Sequence, residues 1–165
     1  FACINTSPRN PTYQQLEPNE VSSIFHHFPE TVSDIIASTP SEQILHHDIS
    51  DIKPLRNFVF DRVVLLGDAA HATTPNMGQG AGQAIEDAIV LGNGFKQFED
   101  IRSVLDFYNE KRVARTGKVI RLSRQIGAIA QISFSPIAAA RDLIFPLLPS
   151  KSLLWRLKFL FDVKL

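Results

Sequence analysis

The chain has 165 residues, enough for one modest core, and its 44% hydrophobic content is ordinary for a folded domain. Its 17 basic and 17 acidic residues cancel, which removes the basic excess expected of a nucleic-acid binder. A single cysteine, Cys3, excludes an intramolecular disulfide framework, no uninterrupted apolar run is long enough to span a bilayer, and no secretory pattern opens the chain, so the cytoplasm is the default location.

In chain order, Phe1–Thr6 (FACINT) reads as a short strand and the proline-rich stretch Ser7–Pro18 as a loop. Val21, Ile24, Phe25 and Phe28 recur at helical spacing. Pro29 suits the first turn of a second helix, with Val32, Ile35 and Ile36 on its apolar face and Pro40-Ser41 closing it. Gln43–Ile49 is a candidate strand and Asp51–Asn57 a connection. The pairs His26-His27 and His46-His47 suggest a metal, but adjacent side chains diverge on either a helix or a strand. No Cys, Asp or Glu at metal-site spacing joins them, so no metal is expected.

Phe58–Arg62 turns into a central strand, Val63–Leu66, which ends at Gly67-Asp68. Small residues and Thr74-Pro75 follow, and Gly78, Gly80 and Gly82 then alternate into a helical segment. A strand that breaks at a glycine and restarts as a glycine-rich helix suits a ligand lying across the strand end. Glycines let backbone approach the ligand, and the helix start offers unpaired N–H groups. Ala84–Phe98 continues this helix, with Gly92, Asn93 and Gly94 signalling fraying or a turn. Ile101 to about Ile132 carries one long stripe: Leu105, Tyr108, Val119, Leu122, Ile126 and Ile129. Arg112 and Arg115 interrupt it, either as a solvated face or as partners of the Glu86-Asp87 carboxylates or of a cofactor phosphate. Ser135-Pro136 reads as a capped helix start, with Ile137–Leu148 following. The basic, apolar tail Leu153–Phe161 is read as packing on the body in preference to a membrane interface.

GDAAH (Gly67–His71), Pro75, Gly78-Gln79-Gly80 and Glu86-Asp87-Ala88 together resemble the second flavin-binding motif of FAD-dependent aromatic hydroxylases. These are the class A flavoprotein monooxygenases, a family that includes 4-hydroxybenzoate and salicylate hydroxylases and kynurenine monooxygenase. The resemblance is densest over Asp61–Asn93, and Gly82 departs from the Asn or Cys common in relatives.

It implies an α/β fold, here α+β: an incomplete FAD/NAD(P)-binding Rossmann-like domain with a strand or two of the substrate-domain sheet and a helical C-terminal region. The expected divisions are a substrate-domain remnant at 1–60, an FAD-binding strand–turn–helix at 61–98, and helices at 99–165. The resemblance gives Asp68 to the ribityl or ribose-side hydroxyls of FAD and Pro75 to the side of the isoalloxazine. Gly78, Gln79, Gly80, Ala81 and Gly82 then face the flavin pyrimidine edge, where a helix N-terminus stabilises the anionic reduced ring. The implied reaction uses NADH or NADPH and O2, and hydroxylates an aromatic or polycyclic substrate through a flavin C4a-hydroperoxide. His71, Glu86 and Asp87 are assigned structural roles, Gln83 and Asn76 are unranked polar positions, and no general base is identifiable.

The chain opens in what reads as mid-strand and lacks a GxGxxG fingerprint. It is therefore expected to be the C-terminal part of a longer enzyme, inactive alone and prone to pair through uncovered faces. The alternatives are another flavoenzyme sharing the motif, such as an epoxidase, halogenase-like oxygenase or reductase, or a non-catalytic domain.

Overall fold

A computed structural model describes residues 3–149 and 157–162. Two units divide the chain, Phe1–Ile49 and Ser50–Leu165.

The first unit is a helix pair. Helix α1 (Pro18–Ile24) starts with proline in its first turn, where a missing N–H costs nothing. Glu17 and Glu20 form a reciprocal cap there, and the Glu17 N–H donates to Glu20 Oε2 at 2.8 Å. Helix α2 (Glu30–Ala37) packs on α1, and Phe25 is the buried apolar residue of this unit. Pro29 lies one residue before α2, in extended backbone, so it caps the helix and does not begin it. Residues 3–6 and 44–49 form no strand. A strand is held by a ladder of backbone bonds to a neighbouring strand, and the ladder among the described residues joins Val59–Phe60 to Val63–Val64.

The second unit holds the motif. Strands β1 (Val59–Phe60) and β2 (Val63–Val64) pair antiparallel, with Val59 opposite Val64 and Phe60 opposite Val63. The expected strand Val63–Leu66 is thus paired only over its first half, although the Leu65 N–H still reaches Phe58 O at 2.8 Å. Helices α3 (Asp68–His71), α4 (Gly80–Gln97) and α5 (Ile101–Ala130) follow. The described residues are mostly helical with this one small sheet, an α+β composition.

Helix α4 runs unbroken through Gly92–Gly94 because tertiary packing outweighs the propensity cost of about 1 kcal/mol per glycine. A Cβ at Gly94 would lie 3.1 Å from Val104 Cγ1, so the bare backbone lets α5 approach closely. Asp100 starts α5 by accepting the Ser103 N–H at 2.9 Å. Phe58, Ala70, Val90 and Tyr108 form the core between sheet, α3, α4 and α5.

Helix α6 (Ser135–Ile144) turns by 112° from α5. Its cap position is Phe134, without a side-chain bond, so Ser135 lies inside the first turn and does not cap it. Arg141 Nη1 instead caps the end of α5, donating to Ile129 O at 3.1 Å and Ala130 O at 2.9 Å. Helical residues 157–161 pack on α5, where Arg115 Nη1 donates to Phe159 O at 2.7 Å. The rest of the expected tail, Leu153–Arg156, lies outside the described residues. No single helix among them is long and apolar enough to cross a membrane.

Candidate functional site

The site is built on the turn that ends the β2 segment. Gly67 adopts φ 56° and ψ −138°, a backbone region that strains any residue with a Cβ. Its N–H donates to Asp87 Oδ2 at 2.8 Å, and His71 Nε2 donates to the same oxygen at 2.6 Å. Asp87 is wholly buried, and its other oxygen accepts from Arg112 Nε at 2.6 Å.

Arg112 is the largest of the fully buried side chains, 1% exposed, and all its nitrogens are used. Nη1 donates to Glu86 Oε2 at 2.5 Å, while Nη2 donates to Gln83 O at 3.0 Å and Gln83 Oε1 at 2.9 Å. Arg115 holds Glu86 from the other side, with Nε to Oε2 at 2.5 Å and Nη2 to Oε1 at 2.7 Å. A buried charge is tolerable only when paired and hydrogen-bonded, and this lattice meets that condition.

The lattice sets the ionisation of its carboxylates. Burial pushes the Asp87 carboxyl up, but the bonds from His71, Gly67 and Arg112 outweigh it and hold the group below its ordinary range. Burial likewise raises Glu86, and Arg115 with Arg112 more than reverses it. Tyr108 moves the opposite way: burial first, then the Asp87 charge, push its phenol up. It stays protonated and donates to Leu65 O at 2.9 Å, a second anchor two residues before the turn.

The loop after α3 is tied to α5. Asn76 Nδ2 donates to Thr74 Oγ1 at 2.9 Å and to Ser123 O at 3.0 Å, and Ser123 Oγ donates to Thr74 O at 2.8 Å. Gly127 makes room for the Asn76 amide, which a Cβ there would strike. Pro75 opens a 3-10 turn, Pro75–Met77, and Gly78 ends it at φ 61°.

These anchors present the residues expected from the sequence. Asp68 is the exposed first residue of α3, and its carboxylate makes no hydrogen bond or ion pair among the described residues, so it does not cap the turn. Pro75, Gly78, Ala81 and Gly82 are exposed, with Gln79 and Gly80 half-buried. Gln79 occupies the cap position of α4 without a side-chain cap bond, and no acid lies in the first turn. The first N–H groups of an 18-residue helix are thereby left without an intrahelical acceptor or counter-charge. A Cβ at Gly67 would sit 3.5 Å from Ala84 Cβ, which brings the Asp68 turn against the start of α4. Thr73 Oγ1 nearby is buried with no hydrogen-bond partner among the described residues. An unpaired, exposed carboxylate beside unpaired N–H donors fits a ligand with both a polyol and an electron-rich edge.

Residues 3–123 match the family model described as FAD binding domain. The chain belongs to that family. FAD, the cofactor of this domain, has both features that the residues fit. Over 100 residues the chain is 44% identical to the aurachin C monooxygenase/isomerase of Stigmatella aurantiaca, covering 61% of this chain and 26% of that protein. Over 106 residues it is 37% identical to the FAD-dependent urate hydroxylase of Klebsiella oxytoca, covering 64% and 28% respectively. The structure of Klebsiella pneumoniae HpxO complexed with FAD and uric acid matches with a TM-score of 0.68 at 34% identity, over 74% of this chain and 32% of that one. The chain thus spans about a quarter of the length of the curated relatives it matches.

Two sequence expectations change. Arg112 and Arg115 are not a solvated face; they bind the Glu86-Asp87 carboxylates, the other reading of that stripe. Of the two unranked polar positions, Gln83 is buried and its amide oxygen serves Arg112, while Asn76 is exposed with its amide donating to Thr74 and to the Ser123 carbonyl of α5. A signal for this existed: Gln83, Glu86 and Asp87 share one face of α4, and Arg112 and Arg115 share one face of α5. Among the described residues no group of three or more His, Cys, Asp or Glu could hold a metal ion.

Proposed function

We propose that this chain is the flavin-contacting, C-terminal part of an FAD-dependent, NAD(P)H-consuming monooxygenase that adds one oxygen from O2 to an aromatic or polycyclic small molecule. The observation that carries the reading is the uncapped, glycine-lined start of α4 beside the unpaired Asp68, in a chain of the FAD binding domain family. The names of its relatives, a monooxygenase/isomerase, an FAD-dependent urate hydroxylase and a 3-hydroxybenzoate 6-hydroxylase, support it. In this reading the complete domain is Rossmann-like and most of its sheet is contributed by further chain.

FAD supplies the redox and oxygen chemistry when bound. The Asp68 carboxylate accepts from ribityl or ribose hydroxyls, and Pro75 lines the side of the ring. Gly78, Gln79, Gly80, Ala81 and Gly82 turn backbone toward the pyrimidine edge, where the positive end of α4 favours negative charge without a titrating side chain. The Asp87–Arg112 lattice beneath holds this surface rigid and takes no proton from substrate.

The test is to purify the complete protein and follow its flavin absorbance, NAD(P)H-dependent O2 uptake, and product mass under 18O2. Flavin absorbance and incorporation of one labelled oxygen are expected. A complete protein that lacks flavin and cannot be reconstituted with FAD refutes the proposal.

A further inference from the structure

Two cavities lie end to end along α5. One, of about 700 Å³, is lined by Arg115, Lys118, Arg121, Gln125, Lys158 and Asp162. The other, of about 790 Å³, is lined largely by apolar side chains, among them Ile126, Ile129, Phe145, Leu148 and Leu157. They share Leu122 and Gln125 in their linings and so adjoin along α5.

The charge in the first cavity is unbalanced. Arg115 is committed to Glu86, and Lys158 stands 3.5 Å from Asp162. Arg102, Arg112, Arg115 and Arg124 of α5 each bind a carboxylate, whereas Arg121 has no acidic partner among the described residues. Lys118 lies 3.9 Å above the Phe159 ring, a contact that orients its charge without neutralising it. The Arg121 guanidinium lies over the bare backbone of Gly117, where a Cβ would be 3.3 Å from Nη1. Two uncompensated cations one helical turn apart, with the Gln125 amide beside them, match a dianion. A carboxylate would balance only one of them, while a phosphate suits both charges and the guanidinium fork.

We propose that the joined cavities bind a phosphate ester with an apolar body. Its phosphate sits among Lys118, Arg121 and Gln125, and its hydrocarbon part lies against Ile126, Ile129 and Phe145. Its lining shares no residue with the flavin-facing set, and its test needs no flavin.

The probe is monomeric dodecyl phosphate, titrated into the complete protein by calorimetry, with inorganic phosphate and monomeric dodecyl maltoside as controls. The expected result is one-to-one binding, at least about tenfold tighter than either control, because head and tail contributions combine. Arg121→Gln and Lys118→Gln each weaken the ester about three- to tenfold at unchanged melting temperature. Phe145→Ser weakens the ester and leaves inorganic phosphate as it was. Equal affinity for dodecyl maltoside, or indifference to Arg121→Gln and Lys118→Gln, overturns the proposal. Capture by phosphatidylglycerol vesicles without binding of the monomeric ester also overturns it, in favour of a membrane-surface contact.

Discussion

Arg112→Met removes the guanidinium and keeps an apolar stem of similar reach. Four hydrogen bonds go with it: one to Asp87, one to Glu86 and two to Gln83. Breaking a buried ion pair from one side costs about 3–5 kcal/mol, because the partner charge stays buried. Asp87 retains Gly67 and His71, and Glu86 retains Arg115, which places the expected loss near the lower end, at about 3 kcal/mol. Domains are stable by roughly 5–15 kcal/mol, so the variant should still fold.

Urea denaturation followed by far-ultraviolet circular dichroism at neutral pH measures the loss from the midpoint at unchanged slope. The pH dependence supplies a second readout. Asp87 and Glu86 are held below their ordinary values of 3.8 and 4.5, so their contribution is full above those values and fades as pH falls through the folded pKa. Arg112→Met relaxes that downward pull, so its deficit against the unmodified chain should narrow below about pH 4. A double-mutant cycle with Asp87→Asn should give a coupling of about 2 kcal/mol. A loss under about 1 kcal/mol, or a deficit independent of pH, refutes the lattice as the anchor of the turn.

Gly67→Ala places a Cβ on a backbone at φ 56°, and should cost about 1–3 kcal/mol in thermal or urea melts even though the space against Ala84 is adequate. Tyr108→Phe removes only the bond to Leu65 O; a loss of about 1 kcal/mol and faster amide exchange in the Leu65–Gly67 segment are expected. Asp68→Ala should leave the melting temperature unchanged, since the carboxylate has no partner among the described residues, while weakening FAD binding by the complete protein about tenfold. The isolated chain exposes Phe60, Val63, Ile85 and Ile89, and sedimentation equilibrium should show concentration-dependent self-association that Ile85→Asp reduces.

Much of the motif was legible because its signals are local. Glycines at Gly67 and Gly78 mark left-handed backbone, and the glycine run at Gly80 marks the start of α4. The long stripe of α5 was equally readable, down to the two arginines that break it. Residues 3–6 and 44–49 form no strand here because a short apolar run becomes one only through a non-local partner, which no local pattern encodes. Gly92 and Gly94 misled for the opposite reason: their propensity cost is real, but the close approach of Val104 overrides it. The partners of Gln83 and Asn76 depend on a helix–helix register that becomes visible only when α4 and α5 are laid face to face.

The Asp87–Arg112 lattice also constrains how this chain can be recombined with its relatives. Its acceptors come from α4, its principal donor from α5, and the backbone it fixes lies before both. A chimera joined in the short Phe98–Asp100 connection, an otherwise inviting loop, would inherit carboxylates from one parent and guanidinium groups from the other. Parents that differ at Gly67, His71, Asp87 or Arg112 should therefore yield misfolded offspring from that junction. Junctions before Phe58 or after Leu122 would pass the whole lattice on as one unit.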